Sequence, residues 1–169
     1  MSAREPRPFD PLRILAELER RRVAYVVIGA LAGVLHGTDE ITDRIDICPQ
    51  MKEDNLERLQ RALEELGGRR GRRKDLVLDE ESLLGAPVTA IATDAGEVQI
   101  VPQPAGTRGY ADVRRGSSRE PLGEGVRAPV ASVDDLARMM TTLGRRGDEG
   151  RLAVLRRLAE LERGPGIAR

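Results

Sequence analysis

The chain has 169 residues, of which 40% are hydrophobic but only 2% are aromatic, so we expect one folded domain with an aliphatic core. Lysine plus arginine and aspartate plus glutamate both total 28. The resulting net charge of zero excludes a generally basic surface for nucleic acid, although not a local patch. The single cysteine, Cys48, excludes an internal disulfide. No stretch resembles a signal peptide or reaches the length of a membrane span, so we expect a cytoplasmic protein with no membrane partner.

The first half of the chain predicts helices that alternate with short strands. Asp10 followed by Pro11 is typical of a helix start, because aspartate caps free amide groups and proline needs no amide partner there. The run VAYVVIG is short, β-branched and apolar and ends in glycine, which favours a buried strand. The predicted elements are a helix at 10–21, a strand at 23–29, a helix at 30–36, a strand at 44–49 and a helix at 56–66.

The second half predicts three further strands and two helices. The run SVDD, from Ser132 to Asp135, is a capping box and therefore predicts a helix start. The predicted elements are strands at 88–93, 97–101 and 126–132, an irregular stretch at 102–125, and C-terminal helices within 132–162. The whole pattern is α/β (α+β), with a small mixed sheet flanked by helices. We expect a single domain at 10–163, with flexible ends at 1–9 and 164–169.

Two polar side chains share one face of the predicted strand RIDICP. Side chains alternate along a strand, so Ile45 and Ile47 lie on one face and Arg44 and Asp46 on the other. Carboxylates two residues apart on a strand point the same way, roughly 7 Å apart. Such a pair suits phosphoryl transfer by two Mg²⁺ ions, which prefer oxygen ligands. Here arginine occupies the first position, and only the second carboxylate is present.

The segment 25–49 resembles the minimal nucleotidyltransferase fold of the DNA polymerase β superfamily, and within it the bacterial AbiEii-toxin-like branch. The family pattern is a strand, a glycine with a small residue, a helix, and Asp-x-Asp on the next strand. Here the pattern reads Gly29-Ala30, LAGVLHG and TDRID. The resemblance continues through GEVQIVP at 96–102 and VASVDDLARMMTTLGRRGD at 130–148. It implies a polymerase β-like fold and relatives that transfer a nucleoside monophosphate from a triphosphate to a protein or RNA acceptor.

The resemblance assigns roles to five positions. Gly29 and Ala30 correspond to the nucleotide-facing motif, and Asp46 to the second metal-binding aspartate. The first and third aspartates correspond to Arg44 and Gln99. The family uses Mg²⁺, but a guanidinium is always charged and stands where a dication is needed. The sequence therefore predicts impaired catalysis, with Asp46 as the surviving ligand and weakened or no metal binding.

Two alternatives remain open from the residues alone. Arg44 either grips a phosphate directly, since a cation in place of a metal also neutralises phosphate, or forms a structural ion pair with Asp46. The protein is correspondingly either an impaired nucleotidyltransferase or a non-catalytic module. Such a module would bind a nucleotide, RNA or a partner chain, as in a toxin–antitoxin type of system. The cationic run at 69–74 fits a solvated loop or a nucleic-acid contact.

Overall fold

The computed structural model describes residues 8–73 and 75–164. In chain order, the helices and strands are α1 Pro11–Arg20, β1 Tyr25–Ile28, α2 Gly29–Leu35, β2 Arg44–Pro49, α3 Glu53–Glu65, α4 Glu80–Leu84, β3 Thr89–Thr93, β4 Gly96–Ile100, α5 Tyr110–Gly116, β5 Ser118–Gly123, β6 Val126–Val130, α6 Val133–Leu143 and α7 Glu149–Glu162. Within those described ranges, no helix combines the length and apolar character needed to cross a bilayer.

The strands form one six-stranded mixed sheet in the order β3-β4-β2-β1-β6-β5. β2 runs parallel to β4, and β1 runs parallel to β6, whereas the other neighbours are antiparallel. The central strands β1 and β2 are thus each buried between two neighbours. The predicted α/β fold with a small mixed sheet flanked by helices is confirmed.

The core is aliphatic, as the shortage of aromatic residues predicts. The four residues of β1 are all buried. α1 buries Ile14, Leu15 and Leu18 on one side, a stripe at helical spacing. The helix start predicted at the capping box is present, since the Ser132 side chain accepts a hydrogen bond from the Asp135 amide at 3.0 Å.

The stretch at 102–125, predicted as irregular, in fact contains α5 and β5, and that prediction was wrong. β5 is an edge strand whose pairing with β6 shifts register between Pro121 and Gly123. Its polar sequence carries no strand pattern of its own, so the strand depends on its partner rather than on local propensity. The short helix α4 was also not predicted. Its start is capped by Asp79, whose side chain accepts from the Ser82 amide at 2.7 Å.

The termini predicted as flexible fall mostly on residues 1–7 and 165–169, which lie outside the described residues. Phe9, however, packs against the core, and its ring lies where a side chain at Gly96 would begin. The Asp10 amide also donates to the Ala95 carbonyl at 2.8 Å. The start of the chain is therefore tied to the β3–β4 hairpin from residue 9 onward.

A buried asparagine in α3 holds the two central strands together near the ends away from Gly29. The Asn55 side chain accepts from the Ala24 amide at 2.7 Å. It donates to the carbonyls of Ala24 at 2.9 Å and Gln50 at 2.8 Å. Buried backbone groups need such partners, because each one left unpaired costs about 1–3 kcal/mol. Asn55 thus fixes the start of β1 and the exit from β2, the strands that position the site.

Candidate functional site

A cleft of about 740 Å³ lies beside the sheet and is walled by α6 and α7. Such a volume is typical of sites for small molecules. The five positions assigned from the sequence all line this cleft, namely Gly29, Ala30, Arg44, Asp46 and Gln99. The structure therefore brings together residues that lie up to 70 positions apart in the chain (99 − 29). Their roles in binding stay a prediction.

Strand register explains why these residues meet. In the parallel pairing of β2 with β4, Asp46 is directly opposite Gln99, and Arg44 is opposite Glu97. In the antiparallel pairing of β1 with β2, Asp46 is opposite Ile28, the residue before Gly29. The corner of the cleft formed by Gly29, Arg44, Asp46 and Gln99 is called the phosphate corner below. The backbone pairing of the strands sets the positions of these residues.

Gly29 allows the closest approach in the phosphate corner. Its φ is +71°, a left-handed conformation that favours glycine. A Cβ at this position would lie 2.2 Å from Oδ2 of Asp46, far inside van der Waals contact. Glycine is therefore required here both by the turn into α2 and by the space that the Asp46 carboxylate occupies.

The Asp46 carboxylate is largely buried and faces Arg44. Its side chain is 16% exposed, and Arg44 Nε lies 3.4 Å from Oδ1. Oδ1 has no hydrogen-bond partner among the described residues, so this contact is an ion pair without an aligned hydrogen bond. The structural ion pair, one of the two alternatives for Arg44, is thus present. The Arg44 side chain is 44% exposed and lines the cleft.

Burial and nearby charges act on Asp46 in opposite directions. Burial raises the pKa of Asp46 above its ordinary value, and the Glu97 carboxylate raises it further. The positive charges of Arg44 and Arg145 lower the same pKa, but they do not cancel the effect of burial. Arg44 is the larger of the two opposing charges. It is therefore the main group that opposes the rise in the pKa of Asp46.

The donor set does not fit a pair of Mg²⁺ ions. Of the three positions that the resemblance assigns to metal-binding carboxylates, only Asp46 is acidic. Within residues 8–73 and 75–164, no group of three or more His, Cys, Asp or Glu side chains is placed to hold a metal ion. Asp43, the nearest acid in sequence, is exposed, precedes β2 and is not among the residues lining the cleft. Arg44 also places a positive charge against the only motif carboxylate.

Charged residues on the α7 side of the cleft were not singled out from the sequence. Arg151 forms ion pairs with Glu40 and, at 3.5 Å, with Asp148. This contact joins α7 to the loop that follows α2. Arg145 and Asp148 lie within the segment 130–148. The family resemblance of that segment is the sequence signal for this side of the cleft. Glu40 and Arg151 carry no such signal, because their pairing is set by the packing of α2 against the C-terminal helices.

No protein-family profile matches the sequence, and no curated protein is significantly similar to it. Solved structures do share its fold. TM1012 from Thermotoga maritima, described as a nucleotidyltransferase, is 18% identical with a TM-score of 0.56, covering 89% of this chain and 91% of that chain. ANT(2″)-Ia in complex with adenylyl-2″-tobramycin is 18% identical with a TM-score of 0.58, covering 91% and 87%. The chain therefore has the nucleotidyltransferase fold, as the resemblance implied.

The contact between Gly29 and Asp46 predicts a large cost for a side chain at position 29. Gly29→Ala should lower the free energy of unfolding by about 1–3 kcal/mol more than Gly125→Ala, because overpacking adds to the shared backbone strain. Gly125 is the matched control, since its φ is +76° and no described atom lies within 4 Å of the place where its Cβ would be. Urea unfolding measures both values. Equal losses would show that Asp46 does not press against Gly29.

The opposing charges predict that Arg44→Ala raises the pKa of Asp46 further. Because the folded-state pKa lies above that of the unfolded chain, the stability contributed by this group is full at low pH and is lost as pH rises through the folded-state pKa. Asp46→Asn should therefore gain stability relative to the wild type between acidic and neutral pH. Carboxyl ¹³C NMR titration measures the pKa, with Arg146→Ala as the control. An unchanged pKa in Arg44→Ala would contradict the ion pair.

Proposed function

We propose that this protein binds the phosphates of a nucleoside triphosphate through Arg44 instead of through paired Mg²⁺ ions. We further propose that its nucleotidyl transfer is impaired or lost. The observation that carries the proposal is the Arg44 guanidinium, which lies 3.4 Å from the only motif carboxylate and is exposed to the cleft. The fold shared with ANT(2″)-Ia, whose complex holds an adenylyl derivative, supports a nucleotide as the ligand.

Arg44 can supply the charge that a metal supplies elsewhere. A guanidinium is planar, always charged and able to donate two parallel hydrogen bonds to phosphate oxygens. Arg145 also lines the cleft and adds a second positive charge near Asp46. Gln99, opposite Asp46 on the neighbouring strand, has an amide that can donate to a phosphate oxygen or accept from a ribose hydroxyl. These groups bind and orient a triphosphate without a bound ion.

The same corner disfavours turnover. Two-metal transfer uses ions about 4 Å apart to stabilise the attacking and leaving oxygens. A unit positive charge at 4 Å from another costs about 4 kcal/mol per charge at an effective dielectric of 20, so Arg44 opposes a dication at Asp46. Gln99 offers an oxygen but no negative charge. The arrangement therefore favours a binding module over an active transferase.

The placement in the AbiEii-toxin-like branch belongs to the same proposal. It rests on the resemblance of TDRID and of the segment 130–148, and it implies a protein or RNA partner in a toxin–antitoxin type of system. A protein that binds a nucleotide without transferring it would act in such a system by binding alone, keeping the nucleotide or the partner bound. The shared fold supports this placement only at the level of nucleotidyltransferases.

Binding of ATP should be equally tight with Mg²⁺ and with a chelator, because the phosphate ligand is a side chain. Arg44→Ala should weaken it by roughly tenfold or more, in keeping with the loss of a charge-assisted contact of about 1.5–3 kcal/mol. Arg146→Ala, a neighbouring exposed arginine that does not line the cleft, is the control and should bind as the wild type does. Isothermal titration calorimetry gives all four affinities. A strict Mg²⁺ requirement would overturn the proposal.

Restoring the carboxylates should restore a metal site. Arg44→Asp combined with Gln99→Asp places two further acids beside Asp46, three in total, since positions 46 and 99 are directly opposite. We expect this variant to bind Mn²⁺, measured by electron paramagnetic resonance, whereas the wild type does not. The double variant Arg44→Ala with Gln99→Ala is the matched control, because it removes the same side chains without adding ligands. Failure of the acidic variant to bind Mn²⁺ would contradict the motif assignment.

A further inference from the structure

Most of the cleft beyond the phosphate corner is lined by apolar side chains. α6 contributes Met139, Met140 and Leu143, and α7 contributes Val154 and Leu155. On the opposite side of the cleft, the side of the sheet, the lining residues include Val88 and Val101, with prolines beside them. Met140 is only partly buried by the core, so it contributes surface to the cleft. The apolar part of the wall, made by α6, α7 and Val88, is called the apolar wall below.

The apolar wall exposes large hydrophobic side chains to solvent. Seven such side chains are exposed in the described part of the chain, and three of them line this cleft. Val88 is 42% exposed, Leu143 is 49% exposed and Val154 is 46% exposed. Isolated exposed hydrophobic residues are ordinary, but a group of them around one concave site is typical of a binding surface.

The charges of the cleft are unevenly placed. On the α7 side, Arg151 is paired with both Glu40 and Asp148, so its single positive charge offsets one of the two carboxylate charges. Near the sheet, Arg44 and Arg145 are the positive charges that act on Asp46. Asp39 also lines the cleft, so a polycation such as the aminoglycoside part of the ligand in the ANT(2″)-Ia complex is the competing class of ligand for the acidic side of the cleft. A ligand with one anionic end and an apolar body matches both ends of the cleft.

We propose that the apolar wall is a subsite for the aliphatic body of a phosphate ester whose phosphate lies in the phosphate corner. This deepens the proposed function, on which it rests, because it names what the bound phosphate is attached to. The phosphate supplies the charge that Arg44 recognises. The aliphatic body covers Val88, Leu143 and Val154 and so removes them from water. Each methylene buried in this contact makes the free energy of binding more favourable. An alkyl phosphate is the simplest member of this class.

A chain-length series tests the subsite directly. Ethyl, butyl, hexyl and octyl phosphate are titrated against the full chain, with competition against ATP as a second readout. Each buried methylene can tighten binding by up to about fourfold, so we expect octyl phosphate to bind roughly tenfold or more tightly than butyl phosphate. Tobramycin, the polycationic comparison ligand, should bind more weakly than octyl phosphate. A flat series, or tobramycin binding more tightly than octyl phosphate, would overturn the subsite.

Variants separate the wall from the corner. Val154→Asp and, on the opposite side, Val88→Asp should abolish the gain with chain length, so that butyl and octyl phosphate bind each variant equally. Both residues are already partly exposed, and circular dichroism checks that each variant folds. Leu161→Asp is the matched control, because it lies on the same helix as Val154, is 62% exposed and does not line the cleft. A loss in Leu161→Asp equal to that in Val154→Asp would overturn the assignment.

Failure of this inference is distinguishable from failure of the proposed function. If ATP binding depends on Arg44 but affinity does not rise with chain length, the apolar subsite is overturned and the phosphate corner stands. If affinity rises with chain length but Arg44→Ala has no effect on it, the wall is supported and the phosphate corner is overturned. Sedimentation of the wild type and of Val154→Asp tests whether a second copy of the chain occupies the apolar wall instead. A wild-type dimer that the substitution dissociates, together with a flat series, would overturn the subsite in favour of a second copy of the chain.

Discussion

The ion pair between Arg44 and Asp46 is the constraint on which the site depends. A largely buried carboxylate is costly unless a positive charge lies beside it, and here that charge comes from the same strand, two residues away. Burial raises the pKa of Asp46, and Arg44 is the main charge that lowers it. The side chain that opposes this rise in pKa also places a positive charge against the carboxylate. We propose that this corner therefore binds an anion instead of a metal ion.

The strands that form the corner do not depend on the ion pair between Arg44 and Asp46. Asp46 and Gln99 are opposite each other because β2 and β4 run parallel, and Gly29 meets Asp46 because β1 and β2 run antiparallel. Asn55 fixes the far ends of the same two central strands with three hydrogen bonds. The side chains of the corner can therefore be substituted while the backbone keeps the shape of the cleft. In the proposal made here, the apolar wall binds the aliphatic group that the anion carries.

The sequence predicted what local patterns determine. β1 and β2 and the start of α6 were predicted because hydrophobic runs, alternation and a capping box are local signals. The meeting of Asp46 with Gln99 followed from a family pattern, not from periodicity. β5 was missed because its strand depends on pairing with β6, and the ion pair of Arg151 with Glu40 was missed because it joins segments 111 positions apart (151 − 40). Long-range packing of this kind leaves no local signal.

The most direct measurement is a crystal structure of the protein with a non-hydrolysable ATP analogue in the presence of Mn²⁺, with anomalous scattering collected for manganese. The account predicts phosphate oxygens within hydrogen-bond distance of the Arg44 guanidinium and no manganese peak at Asp46. Two manganese ions held by Asp46 about 4 Å apart, with Arg44 displaced from the corner, would contradict it.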